Sequence, residues 1–247
     1  MHYLNNMSES VLLRIETRTF SDLQNRDLVI KWKKTLREVI MAKLYFKFGA
    51  MGSSKTAQAL MTKFNYEEKG KSVLLIKPAT DTRDDTIDET GAVHTVVRSR
   101  IGLFQEALAV SPEVDIRQFF HQQNEQHHLD VVICDECQFL TPDQVSQMKD
   151  LADLDDIPVL CFGLRADFQT KLFPGSKRLF EIADSITEIK SVCRCGRKAT
   201  VNARFDDNGQ IIVEGAQVVL GGNDRYEGLC YNCYRKMIRE SGQKLIY

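Results

Sequence analysis

The sequence predicts an α/β protein: a parallel sheet flanked by helices, with a small metal-stapled module at its C-terminal end. Three observations predict it. Short apolar runs with polar borders, KSVLLIKP (71–78), DVVICDE (130–136) and IPVLCFGL (157–164), alternate with stretches of helical periodicity. That alternation marks buried parallel strands joined by crossover helices. A Gly/Ser turn, Gly49 to Thr56, stands between the first strand and the first helix. After about residue 190 the pattern gives way to short strands, glycines and two close cysteine pairs.

The elements follow in order. The first 22 residues are polar and unpatterned, and RDLVIKWKKTLREVI (26–40) places Leu28, Trp32, Leu36, Val39 and Ile40 at helical spacing. Residues 1–40 therefore read as an extension. It is either a short amphipathic helix or translated sequence upstream of a start at Met41. KLYFKF (43–48) alternates like a strand and leads through the turn into a helix, KTAQALMTKFNYEEKG (55–70). Residues 79–92 are polar and irregular, and IRQFFHQQNEQHH (116–128) reads as a helix. TPDQVSQMKDLADL (141–154) has Thr at the N-cap and Pro at the first helical position. In the C-terminal module SVCRCGRK is a tight turn. ATVNARF and QIIVE are strands joined by the hairpin signal DDNG, and LCYNCYRKMIRE opens a terminal helix. The expected boundaries are 1–40, 41–190 and 191–247.

Composition narrows the function classes. Lys plus Arg is 33 and Asp plus Glu 34, a formal charge of −1 over 247 residues. That balance argues against wrapping nucleic acid or a membrane surface through bulk charge. Hydrophobic residues at 43% are enough for a real core. No run of about 18 apolar residues spans a membrane, and the N-terminus lacks a basic and then apolar leader. A cytoplasmic protein is expected. Seven cysteines, an odd count, argue against a disulfide framework.

Three motifs carry chemistry. Gly49-Ala50-Met51-Gly52-Ser53-Ser54-Lys55-Thr56 lies between a strand and a helix, the setting of a phosphate-binding loop. Backbone N–H groups face the phosphates there, Lys55 reaches the β and γ oxygens, and Thr56 offers a hydroxyl to Mg²⁺. The bland alternative is a plain Gly/Ser turn. Ser54 stands where the usual pattern has Gly, and a left-handed backbone there costs roughly 1–2 kcal/mol. Asp135 and Glu136 end a buried strand, where α/β sheets bind ligands. Asp135 suits a Mg²⁺-side acid and Glu136 a base for a substrate hydroxyl, against the alternative of a solvated acidic turn. Cys193-x-Cys195 with Cys230-x-x-Cys233 suits one structural tetrahedral Zn²⁺, against four free thiols. His127-His128 reads as a solvated helix end rather than a metal pair, and Cys134, Cys137 and Cys161 as core residues.

With these residues in hand, the chain resembles the cytosolic, zinc-containing (type II) thymidine kinases. The resemblance runs from about Met41 to beyond Cys233. It is carried by KLYFKFGAMGSSKT, the DTR of 81–83, SRIG (99–102), DECQFL (135–140), IPVLCFGLRADF (157–168), CRCGRKA (193–199) and GGNDRY (221–226). It implies phosphoryl transfer from ATP to the 5′-hydroxyl of thymidine. Gly49 to Thr56 match the family's phosphate loop. Asp81, Thr82 and Arg83 match an element near the nucleotide phosphates. Asp135, Glu136, Cys137 and Gln138 match the DE-x-Q element, with Glu136 as catalytic base. Met51, Phe139, Leu164 and Phe168 match walls of the thymine pocket. Gln217, Val218, Val219, Leu220, Gly221 and Tyr226 match the lasso that closes over the nucleoside. The four cysteines match the zinc ligands.

The resemblance also implies a homotetramer, feedback inhibition by thymidine triphosphate (dTTP), and no nucleic-acid or membrane partner. Arg83 and Arg165 are expected to spread the developing charge. Two positions depart from the family pattern: Ser54, and Asn202 where some members carry Thr beside the thymine ring. Asn202 touches base discrimination only; the alternative that Ser54 leaves is a nucleotide-binding relative that keeps fold and zinc with impaired turnover.

Overall fold

A computed structural model describes residues 42–217 and 226–243. They belong to one compact unit that begins at Ala42. The extension expected over residues 1–40 and the lasso positions Val218, Val219, Leu220 and Gly221 lie outside the described residues.

The chain runs through β1 (Leu44–Phe48), α1 (Lys55–Glu67), β2 (Val73–Pro78) and two short hairpins, β3 (Thr86–Ile87) with β4 (Val93–His94) and β5 (Val96–Arg98) with β6 (Phe104–Glu106). It continues through β7 (Leu108–Val110), α2 (Ile116–Gln126), β8 (Val131–Cys134), α3 (Pro142–Leu154), β9 (Val159–Gly163), α4 (Pro174–Ile182) and β10 (Ser185–Glu188). Six strands form a wholly parallel sheet in the order β10-β1-β9-β8-β2-β7.

The apolar runs explain why this sheet is covered on both sides. Along β8, Val132 and Cys134 join Ile116, Phe120, Val145, Met148, Leu151 and Leu179, from the helices α2, α3 and α4. Val131 and Ile133 join Ala59 and Leu60 of α1 on the opposite face. Period-two alternation with both sets buried is what a near-continuous apolar strand supplies. Helix α3 starts as its sequence dictates. The Thr141 hydroxyl accepts from Gln144 N–H, and the Gln144 side chain accepts from Thr141 N–H, both at 3.1 Å.

The C-terminal module has its own small core of Cys193, Ala199, Val201, Ala203, Ile211, Leu229, Tyr234 and Ile238. It comprises the hairpin β11 (Ser191–Val192) with β12 (Lys198–Ala199), the antiparallel trio β14 (Ile211–Ile212), β13 (Val201–Phe205) and β15 (Tyr226–Leu229), and helix α5 (Tyr231–Glu240). The DDNG hairpin and the terminal helix stand where the sequence places them.

One buried charge organises the segment read as irregular. Lys77 on β2 is 1% exposed. Its Nζ lies 2.7 Å from Asp85 and 3.9 Å from Asp81, and donates to the Val96 carbonyl at 3.0 Å. The amine therefore ties residues 81–96 to the sheet. Breaking a buried ion pair from one side costs about 3–5 kcal/mol. Lys77→Met is expected to lower the melting temperature by about 6–12 °C. An unchanged melting temperature would show that the amine is dispensable.

Candidate active site

The phosphate loop leaves β1 at Gly49, where a Cβ would stand 2.4 Å from the Ile189 carbonyl oxygen. Only glycine fits so close to backbone. Lys55 is buried at the start of α1, and its Nζ donates to Ala50 O at 3.0 Å and Ser53 Oγ at 3.4 Å. Burial lowers its pKa, opposed by the charges of Glu136 and Asp135. The N-cap is Ser54, and its side chain makes no capping bond. An uncapped helix start turns free N–H groups and a positive dipole end toward the loop, which suits phosphate.

Ser54 sits at φ 62, ψ 27, the left-handed region. A side chain there costs roughly 1–2 kcal/mol, and glycine's extra freedom in the unfolded chain takes back about half of that. Ser54→Gly is therefore expected to raise the melting temperature by about 2 °C while ATP affinity holds or improves. A lower melting temperature would show that the loop accommodates Ser without strain.

The acidic pair stands at the carboxyl end of β8. Glu136 also has a positive φ, 51°, which turns the chain into a short 3₁₀ helix, Cys137–Phe139. Asp135 is 3% exposed, and among the described residues its Oδ1 has no hydrogen-bond partner. Burial and the neighbouring Glu136 charge push its pKa up to about 7, against a hydrogen bond from the Thr56 side chain. Both oxygens of Glu136 are held: Arg83 reaches Oε1 at 2.7 Å and Gln138 Nε2 donates to Oε2 at 2.5 Å. Burial works against this carboxylate, but Arg83 and Lys55 outweigh it and hold the pKa below the usual range. Arg83 is fixed from its other side by Asp81, 2.5 Å from Nε. Burial opposes the Arg83 charge, and Glu136 and Asp81 more than restore it.

These groups share one cleft of about 290 Å³. It brings together Met51, Gly52, Ser54, Lys55, Thr56, Asp81, Arg83, Asp135 and Glu136, the heart of the sequence reading. Ala50 and Ser53 serve as partners of Lys55. Thr82 is exposed on the turn between Asp81 and Arg83. Cys137 is buried in the apolar core. Gln138 links two sites, because its Oε1 accepts from Leu164 N at 2.9 Å. Gly163 leaves room for this, since a Cβ there would meet Gln138 Oε1 at 2.6 Å.

Sequence reasoning missed other cleft residues. Asp84, Val97 and Arg98 line it, with Arg100 and Ile101 from the SRIG turn. Arg165 lies elsewhere, donating to the Thr200 carbonyl at 3.0 Å, so Arg98 and Arg100 are the further cations at the cleft.

Of the residues read as nucleoside walls and lasso, Phe168, Tyr226 and Gln217 adjoin through Arg204 and Asp167. Phe168 is fully buried under the Arg204 guanidinium, 5.3 Å from the ring centre. Arg204 pairs in register with Tyr226 across β13 and β15. Burial raises the Tyr226 pKa, against Arg204. Gln217 Nε2 donates to Asp167 at 2.9 Å. Phe139 stacks edge-on against Phe173, with ring centres 5.6 Å apart.

The sulfur atoms of Cys193, Cys195, Cys230 and Cys233 all lie within 4.8 Å of one another. Four sulfurs about 2.3 Å from a central Zn²⁺ stand about 3.8 Å apart in a tetrahedron, and Cys195 and Cys230 are 3.6 Å apart. Cys233 N–H donates to Cys230 Sγ at 3.4 Å. Burial opposes the Cys193 thiolate, but N–H groups of Cys195 and Cys230 favour it and bring its pKa down to about 7. This donor set fits zinc.

Among the described residues no helix is long and apolar enough to cross a membrane. A family model described as thymidine kinase matches residues 42–234. A thymidine kinase of Photorhabdus laumondii is 42% identical over 201 residues, 81% of this chain and 96% of the relative. A thymidine kinase of Enterobacteria phage T4 is 40% identical over 202 residues, 82% of this chain and 100% of the relative. One from Zymomonas mobilis is 44% identical over 190 residues, 77% and 94% respectively. The phosphate loop, the acidic strand end and the four cysteines all fall inside the matched span, and the chain belongs to the thymidine kinase family.

Proposed function

We propose that the chain transfers the γ-phosphoryl group of ATP to the 5′-hydroxyl of thymidine, giving dTMP and ADP, with Glu136 as the base. The observation that carries this reading is convergence. A buried Lys55, an uncapped helix start, Asp135 with an orphaned oxygen, and the Arg83–Glu136 pair face one cleft.

Phosphoryl transfer needs positioning and charge neutralisation more than covalent help. The loop amides of Gly49 to Thr56 hold the triphosphate, and Lys55 meets its β and γ oxygens. Asp135 Oδ1 and the Thr56 hydroxyl are hard oxygen donors, which fit Mg²⁺. Bound there, the cation would neutralise charge between the β and γ phosphates. Arg83 holds Glu136 ionised and ready to accept the 5′-hydroxyl proton. Gln138 aims the same carboxylate and ties it to Leu164 on the nucleoside side. Met51, Phe139, Leu164 and Phe168 wall the base; Cys193, Cys195, Cys230 and Cys233 would hold zinc, which would staple the C-terminal module beside the nucleoside so that water is excluded.

The same reading covers a cytoplasmic homotetramer inhibited by dTTP. Met61 at 55% and Phe64 at 60% exposure on α1 are apolar side chains that such an assembly would cover.

Phosphorus NMR of the product tests the reaction. A 5′-monophosphate ester of thymidine is expected. A 3′-ester, or free phosphate with thymidine unchanged, would overturn the assignment.

A further inference from the structure

We infer that Asn202 is a positioning residue that ties the phosphate loop to the nucleoside wall, so that one side chain sets the affinity for both substrates. The inference rests on the substrate assignments proposed above. Asn202 lies on β13 in the C-terminal module and is 5% exposed. Its Oδ1 accepts from Met51 N–H at 2.8 Å. Its Nδ2 donates to the Ala166 carbonyl at 2.7 Å. Met51 lies in the phosphate loop, and Ala166 lies between Leu164 and Phe168 of the nucleoside wall. One planar amide thus bridges, beyond the sheet's edge, the two loops that leave the paired strands β1 and β9.

Neighbouring contacts hold the same stretch of loop. Asn202 pairs in register with Gly228 on β15. A Cβ on Gly228 would stand 2.6 Å from the Met51 carbonyl oxygen. The strand therefore approaches the loop as closely as glycine permits. The Ser191 hydroxyl donates to the Gly52 carbonyl at 3.3 Å. The C-terminal module grips Met51 and Gly52 from outside the cleft, and Asn202 is the grip that continues to the nucleoside wall. A Thr here carries one hydroxyl in place of separate donor and acceptor ends, so it cannot bridge both loops in the same way.

The two halves of the amide can be separated. Asn202→Ala removes both bonds, and loss of a buried hydrogen bond of about 1–1.5 kcal/mol corresponds to roughly five- to tenfold in affinity. KM for ATP and KM for thymidine should both rise by about that factor. Asn202→Asp, assayed at alkaline pH to keep the carboxylate ionised, retains the acceptor for Met51 N–H but opposes the Ala166 carbonyl. KM for ATP should then stay within about twofold of the parent while KM for thymidine rises. A residue that only stabilised the fold would lower the melting temperature without splitting the two constants. The inference is overturned if Asn202→Asp raises both constants equally or neither, or if Asn202→Ala leaves both within about twofold. Should Asn202→Ala fail to fold, the nearly isosteric Asn202→Asp decides alone. Lys55→Ala, measured in parallel for ATP binding, separates the two levels of the argument. Unchanged ATP binding there would sink the site assignment itself. Lost ATP binding there, with Asn202 variants like the parent, would sink only the role of Asn202.

Discussion

Glu136→Gln is expected to lower kcat by about 10²–10⁴-fold while leaving thymidine binding close to the parent's. The amide keeps the shape of the side chain and its place beside Arg83 and Gln138. It loses the carboxylate charge and with it the ability to accept the 5′-hydroxyl proton. Because proton acceptance is made only in the transition state, the loss belongs in kcat rather than in KM. Steady-state kinetics with direct titration of thymidine separates the two. Turnover near the parent's, with normal thymidine binding, would remove Glu136 from the role of base.

Loss of the zinc ligands carries the largest expected effect on structure. Structural Zn²⁺ contributes roughly 10 kcal/mol or more to small isolated modules. The core of the C-terminal module is small, and two of its members, Cys193 and Cys230, are themselves ligands in this account. Cys233→Ser should release the metal and loosen β13 and β15. The sequence alone suggests that nucleoside binding then fails before ATP binding. The bonds from Asn202 to Met51 and from Ser191 to Gly52 change that expectation, because the module also braces the phosphate loop. Affinity for ATP should therefore fall together with affinity for thymidine, while the parallel sheet, with its own apolar layers, stays folded. Elemental analysis beside both affinities and far-ultraviolet circular dichroism measures this. One zinc per parent chain and a joint loss in the variant are expected. A parent free of zinc, or unaltered ATP affinity in a zinc-free variant, would contradict it.

The legible parts of the molecule were those whose physics is local. A strand buried on both faces is apolar along nearly its whole length, so β2, β8 and β9 declared themselves. The helix α3 announced its start through Thr141 and Pro142. The phosphate loop, the acidic strand end and the cysteine pairs are short segments whose spacing is their chemistry, and the cleft gathers most of them.

What stayed hidden depends on distant partners. The edge strands β7 and β10 have three and four residues and are partly exposed, too short for periodicity to register. Lys77 looks like a misplaced charge in an apolar run until Asp85 and the Val96 carbonyl meet it. Arg98 and Arg100 reach the cleft only because a hairpin folds them over α1. Asn202 reads in the sequence as a base-side substitution, whereas its amide is spent on two backbone groups.

The measurement closest to the central claim is ADP release by the full chain from ATP and Mg²⁺, with and without thymidine. One cleft that holds the triphosphate and aims Glu136 at a nucleoside hydroxyl predicts ADP release that depends on thymidine and matches thymidine phosphorylated, mole for mole. ADP release at the same rate without thymidine, or tight binding of both ligands with no turnover, would contradict it.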